Sequence, residues 1–128
     1  MYNIKVINLI LVRDAKCDYP SACNAMETLL IHKDLLNTNI LKSLFDMFKN
    51  ENVKVNVGPK LREASNLANN YPLVKNFNHE YSELECAIEL VDDEKSAIDH
   101  INKYGSGHTE SIITNNSNYF LSNCSIKN

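Results

Sequence analysis

The feature that most constrains this chain is a change of apolar rhythm between residues 27 and 57. Thr28, Leu29, Leu30 and Ile31 lie in a short apolar run within residues 27–33, which reads as a buried strand. Leu35, Leu36, Ile40, Leu41, Leu44, Phe45 and Phe48 then recur at helical spacing to about residue 50, with Asp34 placed to cap the helix. Val53, Val55 and Val57 alternate with Lys54 and Asn56, and the run stops at the turn Gly58-Pro59. Strand, helix and strand in that order form the unit of an α/β sheet, with a right-handed crossover if the strands pair in parallel.

The flanking sequence extends the same pattern. Residues 83–91 predict a further strand, with Leu84, Cys86, Ile88 and Leu90 on one face and Glu83, Glu85 and Glu89 on the other. Asp92-Asp93-Glu94 opens a helix with acid at its positive end. Ala97, Ile98 and Ile101 face inward, and Gly105 is placed to cap the helix. Residues 110–114 predict a final short strand, and residues 117–121 the start of another helix. Residues 60–79 are the least regular. There Leu61, Ala64, Leu67 and Ala68 make a short helix that Asn69-Asn70-Tyr71-Pro72 breaks. Near the N-terminus, Ile4, Ile7 and Leu11 match one helical face, although the β-branched content also allows a strand. This stretch is too short to span a bilayer. It lacks the basic start and small-residue cleavage pattern of a signal peptide.

Composition excludes several classes. A length of 128 residues suffices for one domain with a real core. A net charge of −3 leaves no basic footprint for nucleic acid. Cys17, Cys23, Cys86 and Cys124 are irregularly spaced, with no Cys-x-x-Cys pair. Neither a zinc site nor a disulfide framework fits them, and the pattern suits a reducing compartment. No spacing of His32, His79 and His100 implies a metal.

The chemistry concentrates in the corner Cys17-Asp18-Tyr19-Pro20-Ser21-Ala22-Cys23-Asn24-Ala25. Pro20 fixes the local backbone and biases Tyr19 away from helix, and the small neighbours leave the Cys23 thiol accessible. Such a cysteine is a nucleophile where backbone N–H groups stabilise its thiolate. The plainer alternative is one more small buried apolar residue.

The segment Asp18-Tyr-Pro-Ser-Ala-Cys-Asn-Ala-Met-Glu-Thr-Leu-Leu30 resembles the active-site segment of the γ-glutamyl phosphate reductases. These are also called glutamate-5-semialdehyde dehydrogenases, are members of the aldehyde dehydrogenase superfamily, and form the reductase half of delta-1-pyrroline-5-carboxylate synthase. Two later stretches resemble the same family in the same order. They are Glu80-Tyr-Ser-Glu-Leu-Glu-Cys-Ala-Ile-Glu-Leu-Val-Asp-Asp93 and Ala97-Ile-Asp-His-Ile-Asn-Lys-Tyr-Gly-Ser-Gly-His-Thr-Glu110. The likeness runs from about residue 12 to 115.

The resemblance implies an α/β catalytic domain of the aldehyde dehydrogenase-like fold, with an open, mostly parallel sheet flanked by helices. It implies a single partial domain over residues 1–128, lacking the nucleotide-binding domain and the C-terminal segment of the family. Cys23 would be the catalytic nucleophile, attacking L-glutamyl 5-phosphate to form a thioester that hydride from NADP(H) reduces to glutamate 5-semialdehyde, in proline biosynthesis. The Cys23 N–H would serve the developing oxyanion. Glu80 takes the position of a glutamate that contacts the nicotinamide ribose, the alternative being a solvated acid. His108 and Thr109, after the glycine pair Gly105 and Gly107, are candidates for the substrate carboxylate or phosphate, or simply turn residues. A homo-oligomer, a cytoplasmic or mitochondrial location and low activity of this chain alone complete the expectation. A truncated, non-catalytic interaction module is the rival reading. Open α/β sheets place ligands at the carboxyl ends of their strands, so Cys23 is expected there, at the rim of a cleft.

Overall fold

A computed structural model describes residues 4–114. The expected helix over residues 117–121 lies outside the described residues. Three strands, β1 (Thr28–His32), β2 (Lys54–Val57) and β3 (Glu85–Val91), form one parallel sheet in the order β1-β3-β2. β1 and β2 therefore do not pair with each other. The later strand β3 lies between them, with Thr28 opposite Ala87 and Lys54 opposite Glu85.

This topology explains which strand is buried. β3 is central, and every residue from Cys86 to Val91 is buried, so the face carrying Ala87 and Glu89 is covered as well as the face carrying Cys86, Ile88 and Leu90. The acidic face is closed to solvent at Glu89, which is only 4% exposed. β1 is an edge strand of this sheet. Only Ile31 in it is buried, which corrects the expectation of a buried strand.

The helix after β1 comes in two pieces. Lys33–Asn37 is a 3-10 turn, and α2 runs Ile40–Asn50. Asp34 does not cap it. Instead the His32 ring accepts from the Asp34 N–H at 3.2 Å, and Thr38 Oγ1 accepts from the Ile40 N–H at 3.3 Å. Thr38 Oγ1 also donates to Leu35 O, which stops the 3-10 turn before α2 begins. The apolar stripe of α2 then buries Ile40, Leu41, Leu44, Phe45 and Phe48, the last with no exposed surface. Asn52, at φ 57°, makes the turn into β2, a conformation asparagine tolerates.

α1 (Ile4–Cys17) packs on α2. Val12 and Lys16 are buried and Leu9 packs beside them, whereas Leu11 is 48% exposed. The buried residues are spaced three and four apart on one helix face. Arg13 reaches Glu51 at the far end of α2, Nε to Oε1 2.7 Å.

α3 (Pro59–Ala64) follows β2 directly, with Pro59 at its first position. The 3-10 turn Asn66–Asn70 succeeds it. α4 (Glu94–Tyr104) is capped by Asp93, whose carboxylate accepts from the Ser96 N–H at 2.7 Å. It packs on β3 but buries no residue fully. Its C-cap Gly105 has φ −67°. The need for glycine there is one of space, since a Cβ would lie 2.7 Å from Ile101 O. The expected strand over residues 110–114 is not formed. Those residues are exposed and carry no strand ladder, because the sheet among the described residues closes with β1 and β2 at its edges.

Candidate active site

Cys23 sits in a tight loop between α1 and β1, and both ends of that loop are pinned. The Asp18 N–H donates to Asp14 O at 3.2 Å, and the Met26 N–H donates to Ala15 O at 2.8 Å. Within the loop, Ala22 N–H bonds Tyr19 O at 3.1 Å and Ala25 N–H bonds Ala22 O at 3.0 Å. Two successive turns thus carry Cys23 at their junction. Its side chain is exposed, and among the described residues its N–H has no backbone acceptor. A free N–H beside an exposed sulfur is the donor arrangement that an oxyanion developing at an attacked carbonyl requires.

The loop enters β1 at its amino end. The expectation that Cys23 lies at the carboxyl side of the sheet is therefore corrected. In this fold the loop precedes the strand rather than following it, so the rule for open sheets does not apply to it. A cleft of about 300 Å³ lies against the loop, lined by Asp14, Asp18, Tyr19 and Cys23's neighbours Ala22 and Asn24. Its charged lining is acidic, which suits a cation or a neutral group better than a phosphate.

Glu80 is exposed and precedes β3, so it belongs to the same amino edge of the sheet. One residue that sequence reasoning counted only as the start of a strand ties the two segments together. The Glu27 carboxylate accepts from the Tyr81 N–H at 2.9 Å and from the Ser82 N–H at 3.3 Å. Lys16 Nζ approaches it at 3.5 Å, and the Lys16 side chain is fully buried. Glu27 O also accepts from the Ala87 N–H at 2.9 Å, where β1 and β3 begin to pair. The sequence signal for Glu27 was present but ambiguous, an acid immediately before an apolar run.

His108 and Thr109 follow the end of α4, where Tyr104 O accepts from Asn78 Nδ2 at 3.4 Å. Both are exposed, and His108 Nδ1 lies 2.7 Å from Thr109 Oγ1. The two contact each other, not Cys23 or Glu80.

A second buried acid, Glu89, was also missed. Its Oε1 accepts from the Leu61 N–H at 2.9 Å and the Leu90 N–H at 2.7 Å, so it closes the start of α3. A Cβ on Gly58 would overlap this carboxylate, which is why a residue without a side chain precedes Pro59. A second cleft, of about 430 Å³, lies at the carboxyl end of β3 among Lys60, Phe77, Leu90, His100 and Lys103. None of Cys23, Glu80, His108 and Thr109 lines it. Burial and the neighbouring Lys60 and Lys103 hold the His100 imidazole below its usual pKa. Cys86 is buried in the sheet, and burial pushes its thiol up to about 12.

No family model matches the chain. It is 52% identical over 104 residues to delta-1-pyrroline-5-carboxylate synthase 2 of Oryza sativa subsp. japonica, covering 81% of this chain and 14% of that protein. It is 39% identical over 103 residues to the γ-glutamyl phosphate reductase of Brachyspira hyodysenteriae, covering 80% of this chain and 23% of that protein. The crystal structure of γ-glutamyl phosphate reductase from Thermotoga maritima superposes with a TM-score of 0.81 at 30% identity, over 89% of this chain and 27% of that one. The chain thus spans less than a quarter of the length of the rice and Brachyspira proteins. In sequence and in fold it is a homologue of one stretch of the γ-glutamyl phosphate reductases and of the delta-1-pyrroline-5-carboxylate synthases that share it.

Proposed function

We propose that this chain is the cysteine-bearing part of a γ-glutamyl phosphate reductase acting in proline biosynthesis, a single partial domain with Cys23 as nucleophile. The observation that carries the reading is the Cys23 loop itself: an exposed thiol beside an uncommitted N–H, on a loop pinned at both ends. Cys23 Sγ, as thiolate, attacks the carbonyl carbon of L-glutamyl 5-phosphate. The carbon–sulfur bond forms, the carbon–oxygen bond to phosphate breaks, and phosphate leaves with the bonding pair. Covalent catalysis of this kind divides one hard step into two easier ones. The Cys23 N–H receives the transient oxyanion. A bound NADPH would supply the hydride for reduction of the thioester carbon to the aldehyde level, with Cys23 Sγ as the leaving thiolate.

The described residues fit that cofactor at one point. Glu80 is an exposed carboxylate on the Cys23 edge of the sheet, able to accept from ribose hydroxyls. The described helices open without a glycine-rich phosphate loop, so the other nucleotide contacts belong to sequence outside these residues, as does the homo-oligomer contact expected of the whole enzyme. His108 and Thr109 remain candidates for the substrate carboxylate or phosphate, presented on an exposed loop. The three described cysteines are free thiols, which suits a cytoplasmic or mitochondrial location. No helix among the described residues is long and apolar enough to cross a membrane.

Acetyl phosphate provides the test. Incubation with the purified chain should acetylate Cys23 as a hydroxylamine-sensitive thioester, with release of one phosphate per acetyl group. Cys23→Ser should abolish the hydroxylamine-sensitive adduct. Acetylation of Cys17 instead, or none at any thiol, would remove the assignment. The rival reading, a non-catalytic interaction module, is favoured by the exposed Ile10 and Leu11 on α1 and predicts no thioester.

A further inference from the structure

The Glu27 carboxylate accepts from the N–H of Tyr81 and the N–H of Ser82. The rotatable bonds between these two N–H groups are those of Tyr81, so the carboxylate fixes the Tyr81 backbone, and Ser82, at φ 55°, follows it directly. The residue before Tyr81 is Glu80. The same Glu27 begins β1 at the end of the Cys23 loop, and Lys16 anchors its carboxylate from α1. One side chain thus spans the Cys23 loop, the Glu80 segment and the helix beneath both.

We propose that Glu27 is the positioning residue of the site: its carboxylate holds the Tyr81 backbone through two adjacent N–H groups and thereby fixes Glu80 on the edge that carries Cys23. The significance for catalysis rests on the reading of Cys23 and Glu80 given above, whereas the clasp is a property of the fold. A glutamine cannot replace it. Its amide offers one acceptor oxygen for two N–H groups and leaves the buried Lys16 ammonium without a counter-charge.

The test is the amide proton spectrum and hydrogen exchange of the 128-residue chain. In the unmodified chain the Tyr81 amide proton should lie downfield and exchange about tenfold or more slowly relative to the neighbouring Glu80 amide, as expected for a charge-assisted bond. In the double variant Lys16→Met/Glu27→Gln, which avoids an unpaired buried ammonium, that protection should fall about tenfold while the amides of Cys86 to Leu90 keep theirs. A Tyr81 amide that is unshifted and unprotected in the unmodified chain overturns the proposal without any variant. So does protection that survives loss of the carboxylate. Thioester formation at Cys23 is measured separately, so failure of the clasp and failure of the nucleophile assignment give different results.

Discussion

At Cys86 burial sets the chemistry, and at Cys23 exposure does. A thiol pushed up to about 12 holds almost no thiolate at neutral pH, and Cys86 has no exposed surface. Brief iodoacetamide treatment followed by peptide mapping should therefore label Cys23 first and half-buried Cys17 more slowly, because burial raises the Cys17 pKa. Cys86 should be labelled only on unfolding, and its early labelling would overturn the assignment. Glu89 makes the opposite point, that a buried acid can be structural. Glu89→Ala removes the acceptor for the buried Leu61 N–H, which should destabilise the chain by about 1–3 kcal/mol. Gly58→Ala should destabilise it too, because its Cβ would displace that carboxylate. Urea denaturation measures both. An unchanged midpoint in Glu89→Ala would mean that water or another group takes over the bond. Neither Glu27 nor Glu89 was legible as a site from sequence, since alternation places an acid on a face without saying what covers that face.

Elements were legible where one period ran unbroken, and misread where tertiary pairing decided. The stripe of α2 and the alternation in β2 give their own structure. The burial of β3 on both faces, and the thin cover of β1, follow from β3 lying between two earlier strands, which no local pattern encodes. α1 shows the same limit, because the buried face around Val12 and Lys16 is set by α2 and Glu27. α4 yields a prediction of its own. His100 packs edge-on to Phe77 and tilted against Tyr104, with ring centroids 4.7 Å from each. Facing it are Lys60 from α3 and Lys103 from α4, which depress its pKa together with burial. The unfolded chain then binds the His100 proton more readily than the folded one. Stability contributed by neutral His100 is present above the unfolded pKa of about 6.5 and is lost as pH falls through the lower folded value. The melting temperature should drop between pH 7 and pH 5, and His100→Phe should flatten that part of the profile. An identical slope in the variant would assign the pH dependence to other groups.

For the whole molecule, the question is how much of a reductase these residues can be by themselves. On the proposed reading the Cys23 loop brings its own sulfur and N–H, so attack on an acyl phosphate is the step these residues would support by themselves. Hydride transfer differs, because orientation of two reactants supplies roughly 7–11 kcal/mol of such a barrier, and the nucleotide must be held to provide it. Glu80 is the one nucleotide contact proposed among the described residues. A charge-assisted hydrogen bond contributes about 1.5–3 kcal/mol, whereas even a millimolar complex requires about 4.1 kcal/mol. The chain alone should therefore bind NADPH with a dissociation constant weaker than about 1 mM and should not reduce L-glutamyl 5-phosphate at a measurable rate. Ile10 and Leu11 are 52% and 48% exposed on α1, and an apolar strip of that kind favours self-association. Isothermal titration with NADPH at two protein concentrations tests both points. Micromolar binding would mean that the nucleotide site is complete within these 128 residues. Weak binding that strengthens with protein concentration would instead place the missing contacts on a second copy of the chain.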